Sequence, residues 1–283
     1  MAPSNRRTAV ITGGGGSMAR AIARRLHDRG YHLVLVDVDE SALEHAARDL
    51  GSDCQTRRAD LADPAQIREV AAWLEADHAD LDLLISTAGV IEPGNLDTLA
   101  ADELDRHVNV NLLAPMHLAR AAARLMKVRG SGDILAIVSM GGILALPGSA
   151  PYSASKFGLR GFLASIRTEL APHGVRVLGV YPSGVDTPML RHEATHGGSP
   201  LNFVGKVHSV HDVADAVDRA LRTGHLETYV PYTDGLSTRA VAAIPWVIER
   251  IVPFFNRIGE RGRSRFLAEH GLRVHFDPAK ENP

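Results

Sequence analysis

One cysteine, Cys54, stands in a chain of 283 residues. No internal disulfide can form, and a reducing compartment, the cytoplasm, is the expected location. Neither sign of charge is in excess: Lys and Arg number 31 and Asp and Glu 33, a net of −2. That balance gives no reason to expect nucleic acid or an anionic surface as the main partner. No stretch approaches the ~20 consecutive apolar residues that cross a bilayer. The opening "MAPSNRRTAVITGG" has no apolar run ahead of its glycines, so it does not read as a secretory signal. Internal repeats and low-complexity linkers are missing too. Aromatic residues are scarce, at 5%, and unevenly placed: Phe254, Phe255, Phe266, Phe276 and Trp246 all lie in the last 50 residues.

What the chain has is apolar residues, 45% of the total, enough for one large domain with an extension. Apolar runs alternate with helical patterns from residue 7 to about 231. "TAVIT", "HLVLVD", "LDLLIST", "DILAIVS", "VRVLGVY" and "ETYVP" read as strands, with helical segments between them. Continuous apolar strands separated by helices predict an α/β fold: a doubly wound, Rossmann-type parallel sheet with helices on both faces. Residues 1–235 would form this domain and 236–283 a helical extension. Ligands bind such sheets at the carboxyl ends of the strands.

The first strand runs into "TGGGGSMARAIARRL", Thr12 to Leu26. Strand, glycine loop and helix in succession are the context of a dinucleotide-binding turn, where backbone N–H groups and the helix dipole attract a pyrophosphate. Gly13, Gly14, Gly15 and Gly16 would give backbone freedom and close approach. Ser17 would cap the helix and donate to a phosphate, with Met18 beside it. Ala19 falls where helix and strand pack, a place that tolerates Ala. A glycine turn with no ligand is the competing interpretation. Asp37 ends the second strand, 18 residues after Ala19, and Val38 follows it. A carboxylate there accepts from ribose hydroxyls and repels a 2′-phosphate, which favours NAD over NADP; a solvated Asp in the turn "DVDE" is the alternative.

"YSASK" sets Tyr152 and Lys156 four residues apart, on one face of a helix. A neighbouring ammonium would lower the phenol's pKa toward use as a general acid or base. Ser139 ends the strand "DILAIVS", 13 residues upstream, and could point into the same cleft.

Taken together, these residues resemble the short-chain dehydrogenase/reductase family over residues 6 to about 231. Tyr152 and Lys156 match its Tyr-x-x-x-Lys, Ser139 its serine, and Asn111 in "VNVNLLAP" its active-site asparagine. Asp60 in "ADL", with Leu61, matches the adenine side. Ala88 and Gly89 match the end of its "NNAG", and Pro182, Val185 and Thr187 in "YPSGVDTPM" match the nicotinamide side. The resemblance implies an NAD-dependent oxidoreductase acting on a small-molecule secondary alcohol or ketone. Tyr152 would exchange a proton with the substrate oxygen, and Ser139 would hydrogen-bond that oxygen. Lys156 would hold the nicotinamide ribose and Asn111 would order a water, while hydride passes between nicotinamide and substrate carbon.

Three departures stand out. Ser17 and Ala19 replace two loop glycines, "STAG" (Ser86–Gly89) replaces "NNAG", and Pro182-Ser183 replaces Pro-Gly. The spelling "SMA" is similar to the divergent enoyl-reductase branch, whose Tyr and Lys are spaced more widely than in "YSASK". A catalytically silent dinucleotide-sensing protein is the competing class.

"HEATH", residues 192–196, fits the zinc-protease signature His-Glu-x-x-His, but "GGSP" follows at once and predicts an early helix end. No metal is expected, and these residues read as solvated or substrate-lining. The tail places Ile244, Val247, Ile248, Ile251, Phe255 and Ile258 at helical spacing, with Arg250, Arg257 and Arg261 among them. One or two amphipathic helices, broken near Pro253, are predicted. They would pack on their own domain or a sister subunit of a homo-oligomer, cover an apolar substrate, or touch a membrane surface shallowly.

Overall fold

The protein's structure, a computed structural model, describes residues 6–51, 54–233, 235, 238, 239 and 244–275. Seven parallel strands form one sheet in the order β3-β2-β1-β4-β5-β6-β7. They are β1 (Thr8–Thr12), β2 (His32–Asp37), β3 (Cys54–Arg58), β4 (Leu81–Ser86), β5 (Gly132–Ile137), β6 (Val175–Pro182) and β7 (Glu227–Val230). Between them run α1 (Ser17–Asp28), α2 (Glu40–Leu50), α3 (Pro64–Asp77), α4 (Ala101–Val108), α5 (Ala114–Arg129), α6 (Ala150–Leu170), α7 (Pro188–Thr195) and α8 (Val210–Thr223). The fold is the doubly wound, Rossmann-type sheet expected, followed by a helix α9 (Pro245–His270).

The strand sequences are apolar on both faces because both faces are covered. Ala9, Ile11, Leu33, Leu35, Leu83 and Ile85 point to one side and pack with α1, α2 and α8 through Ile22, Leu43 and Val217. Their alternates Val10, Val34, Val36 and Leu84 point to the other and pack with α3, α5 and α6 through Leu74, Leu118 and Leu159. Burying a side chain of this size contributes about 1.5–3 kcal/mol, so the period-two alternation separates two cores. Caps fix the helix starts. Asp39 accepts from Ala42 N, Asp63 from Ala65 N, and Ser209 with Asp212 forms a capping box on α8.

Strand order reverses between β1 and β4, which opens a crevice at their carboxyl ends. β3, "CQTRR", carries no apolar run and was not among the strands expected. It is a sheet edge, mostly open to solvent, where the apolar signal is not required.

The tail departs from expectation. α9 continues through Pro253 with no break. Its buried residues, among those whose side chains are described, are Gly259, Arg263, Phe266 and Leu267. Phe266 and Leu267 join Leu190, Ala194 and Phe203 in a small separate core. The apolar stripe read from the sequence lies beside this face: Ile248, Ile251 and Ile258 are partly buried, Ile244 and Phe255 are exposed, and the Val247 side chain falls outside the described residues. Phe276 and the expected boundary at 235/236 also involve residues outside the described set. Two glycines make the docking close. A Cβ at Gly259 would meet the Pro200 carbonyl oxygen at 2.1 Å, and one at Gly262 the Phe203 carbonyl oxygen at 2.0 Å. No described helix is long and apolar enough to cross a membrane.

Candidate active site

The crevice holds a cavity of about 280 Å³ lined by Gly13, Gly16, Ser17, Met18, Asp37, Asp60, Leu61, Ala88, Gly89 and Thr187. Of the four loop glycines, only Gly13 takes a left-handed angle, φ +66°, and a Cβ there would meet Ala88 N at 2.7 Å. Gly14 and Gly15 are small for packing: a Cβ on either would lie 2.6 Å from Leu35 Cβ or Ala42 Cβ. Gly16, with φ −70°, is the cap of α1, and Ser17 is its first helical residue. The expected capping role of Ser17 is therefore corrected, although Ser17 does line the cavity. Glycine freedom across Gly13–Gly16 narrows to one position, because packing accounts for the next two.

The "STAG" departure has a physical role. Thr87 Oγ1 donates to the Thr12 carbonyl, tying the ends of β4 and β1 together. Asp37 Oδ2 accepts from Gly15 N at 2.9 Å and Oδ1 from Asp39 N at 3.1 Å. The carboxylate thus sits at the far end of the loop, facing the cavity. Arg58 is the register partner of Asp37 on β3, a basic neighbour that the linear sequence conceals. Asp60 Oδ1 accepts from Ala62 N and shapes the turn after β3.

A second chamber, about 70 Å³, continues from the first and shares Met18, Thr87, Gly89, Thr187 and Met189 with it. Ser139, Tyr152, Lys156, Pro182 and Val185 line it together. The structure therefore assembles five expected residues from β6, α6 and two loops. Ser139 Oγ accepts from Gly141 N at 2.9 Å, which leaves its hydrogen free to donate. The Tyr152 hydroxyl is deeply enclosed. Burial raises its pKa above the usual phenol value, the Ser139 hydrogen bond lowers it, and Glu193 adds a further rise.

Lys156 Nζ lies 5.7 Å from the Tyr152 ring centroid and donates to the Ile137 carbonyl at 3.1 Å. Burial lowers the ammonium's pKa to about 8. The expected lowering of the Tyr152 pKa by Lys156 is not seen here, because burial dominates the phenol.

Asn111 is wholly buried in a π-helical turn, Asn109–Leu113, between α4 and α5. Its Oδ1 accepts from Val90 N at 2.8 Å; its Nδ2 donates to Val90 O at 2.9 Å and Ser155 Oγ at 3.2 Å. Asn111, Thr12, Gly14 and Gly15 stand behind the lining and support it. Thr187 caps α7 by accepting from Leu190 N at 3.2 Å.

Glu193 and Asn202 also line the chamber; from the sequence, Glu193 reads as solvated or substrate-lining within "HEATH" and Asn202 is not singled out. Glu193 is buried, and its Oε2 accepts from Asn202 Nδ2 at 2.8 Å. Burial raises its pKa to about 8, against the Asn202 hydrogen bond. Glu193 is the glutamate of "HEATH". α7 stops at Thr195, and His192 and His196 stack on each other at 4.2 Å, with His192 against Glu92. Among the described residues no group of three or more His, Cys, Asp or Glu is placed to hold a metal.

A seven-stranded Rossmann-type sheet, a glycine loop at its switch point and a Ser-Tyr-Lys chamber beyond it define a nicotinamide-dependent oxidoreductase fold. The family described as short chain dehydrogenase matches residues 7–197, and the chain belongs to the short-chain dehydrogenase/reductase family. The "Putative oxidoreductase SadH" of Mycobacterium tuberculosis is 30% identical over 274 residues, covering 92% of this chain and 96% of that one. Among solved structures, a short-chain dehydrogenase from Sphingobium yanoikuyae in complex with NADPH is 26% identical with a TM-score of 0.75. It covers 86% of this chain and 95% of its own. The bulky-bulky ketone specific alcohol dehydrogenase from Comamonas testosteroni is 25% identical with a TM-score of 0.71. That match spans 99% of this chain and 100% of the other. The protein is an oxidoreductase of this family, with a fold that binds a nicotinamide dinucleotide.

Proposed function

We propose that the protein is an NAD(H)-dependent oxidoreductase that interconverts a lipophilic secondary alcohol and its ketone. The observation that carries this reading is the chamber in which Ser139, Tyr152 and Lys156 meet, continuous with the cleft of about 280 Å³ that ends at Asp37. When bound, the dinucleotide supplies or accepts the hydride. Tyr152 gives or takes the proton at the substrate oxygen, and Ser139, already accepting from Gly141, donates to that oxygen. Lys156 holds the nicotinamide ribose. The Asn111 side chain is committed to Val90 and Ser155, so its backbone carbonyl is the group that orders a water. Gly13, Gly16, Ser17 and Met18 take the pyrophosphate, Asp37 the ribose, Asp60 and Leu61 the adenine side, and Ala88, Gly89, Pro182, Val185 and Thr187 the nicotinamide side. Thr12, Gly14 and Gly15 hold the loop in shape.

Residues 1–235 act as the catalytic domain and 236–283 as an extension over its substrate end. The lone cysteine fits a cytoplasmic location. A groove on α5 and α6 with Met116, Phe162 and Ile166, beside exposed Phe157, suits a homo-oligomer.

The testing experiment is Tyr152→Phe, which keeps the ring and removes the hydroxyl. Dinucleotide binding should survive while turnover of lipophilic ketones falls by about 100-fold or more, the usual scale of acid–base catalysis. A Phe variant with near-normal turnover would make Tyr152 structural and overturn this mechanism, whereas a wild type that turns over no alcohol or ketone would belong to the silent, dinucleotide-sensing class.

A further inference from the structure

The catalytic chamber opens into a third cavity. This one is larger, about 240 Å³, and shares Ser183, Gly184 and Asn202 with the chamber. Its walls are mostly apolar: Met140, Leu144 and Leu146 on one side, Ile251, Val252 and Phe255 of α9 on the other. Between the two lie three polar side chains that the reaction described above leaves unused.

Glu193 reaches the chamber from α7, 5% exposed, held by Asn202 Nδ2 at 2.8 Å. Ser183, standing where the resemblance expects glycine, buries its Oγ with no hydrogen-bond partner. A buried hydroxyl without a partner costs about 1–3 kcal/mol. Its position on the wall of both cavities makes a ligand oxygen the group that satisfies it. Burial holds the Glu193 proton to about pH 8. A neutral carboxyl both donates and accepts, so it can pair with a hydroxyl or a carbonyl. Asn202 is the only side chain that hydrogen-bonds it among the described residues.

We propose that Glu193, Asn202 and Ser183 form a second polar station beside the reacting oxygen. They select ketones and alcohols that carry a neutral hydroxyl or carbonyl on the adjacent carbon and an apolar group reaching toward α9. Size sets the spacing. The chamber, at about 70 Å³, is much the smaller of the two spaces. A second oxygen held by Glu193 and Asn202 therefore lies close to the reacting carbon, on its neighbour in the proposal, and bulk extends past Asn202 into the larger cavity. This inference rests on the dehydrogenase reading and names its substrate class.

The test compares two ketones of nearly equal shape, α-hydroxypropiophenone and isobutyrophenone, in which a hydroxyl replaces a methyl. Reduction is followed with whichever of NADH and NADPH the protein binds. The wild type should prefer the hydroxyketone in kcat/KM by about tenfold or more, since a site built for a hydroxyl discriminates against the analogue lacking it. Glu193→Leu should bring the ratio near one, and Glu193→Gln should keep most of it. Dinucleotide binding shows that each variant is folded. Should Glu193→Leu fail to fold, Ser183→Ala carries the test, with the ratio expected to fall about threefold. A ratio near one in the wild type, or a tenfold ratio that persists in Glu193→Leu or in Ser183→Ala after a Leu failure, overturns the station alone. A protein that reduces no ketone with either dinucleotide overturns the dehydrogenase reading, and the station with it.

Discussion

At the residue scale, two carboxyl groups face the cleft, Asp37 at the end of the first cavity and Glu193 in the catalytic chamber. The Asp37 carboxylate accepts from Gly15 and Asp39 and faces the cavity, so a 2′-phosphate beside it meets Coulomb repulsion. We expect NADH to bind more tightly than NADPH and Asp37→Ala to narrow that gap, measured by titrating both. Arg58, in register with Asp37, is the reason the experiment needs both cofactors, as is the NADPH bound to the Sphingobium relative. Glu193 keeps its proton instead. Its pKa in the folded protein is about 8, against an ordinary 4.5, so between those values the folded chain holds a proton that the unfolded chain has released. Stability from this group is complete below pH 4.5 and declines as pH rises toward 8. Glu193→Gln, which has no proton to lose, should flatten that part of the curve in urea melts taken across the range. Ser139, Tyr152 and Lys156 were legible because their spacing along one strand end and one helix is local. Glu193 and Asn202 were not: the Glu carried a metal-site spelling, and only the turn after α7 brings Asn202 to it.

At the element scale, what the sequence announced was apolar content, and what it hid was contact made by small or polar residues. Strands with both faces covered stood out as apolar runs. β3 did not, because an exposed edge strand has little to bury. α9 was visible as a helix, yet its docking face was misplaced. Gly259 and Gly262, which add nothing to an apolar count, are where the helix lies on the Pro200–Phe203 turn. Pro253 gives up one backbone hydrogen bond, while the rest of the 26-residue helix stays tied down through Phe266, Leu267 and the Arg263 contact with the Gly198 carbonyl. Gly262→Leu should lift the helix off, because its Cβ would fall 2.0 Å from the Phe203 oxygen. The expected cost is at least about 1–3 kcal/mol, the usual scale of overpacking. Thermal melts would show it, together with a raised KM for bulky ketones and unchanged dinucleotide affinity.

At the scale of the whole molecule, one cleft runs from Asp37 past Tyr152 to Phe255, crossing the switch point of the sheet and ending under α9. The sheet end is rigid, built on two cores. The far end rests on α7, the Pro200–Phe203 turn and α9, joined in a small core of their own and fastened by His270 to Asp186 at 3.1 Å and by His275 N to the Thr195 carbonyl at 2.8 Å. The cover of the substrate end is therefore a miniature folding unit rather than a loop. It should open as one, with the amides of α7 and α9 exchanging hydrogen for deuterium at a common rate and well ahead of β1 and β4. Separate rates for the two helices would show that they move independently. With a common rate, any substitution that tightens Phe203 against Phe266 should slow the opening of that whole unit without touching Tyr152.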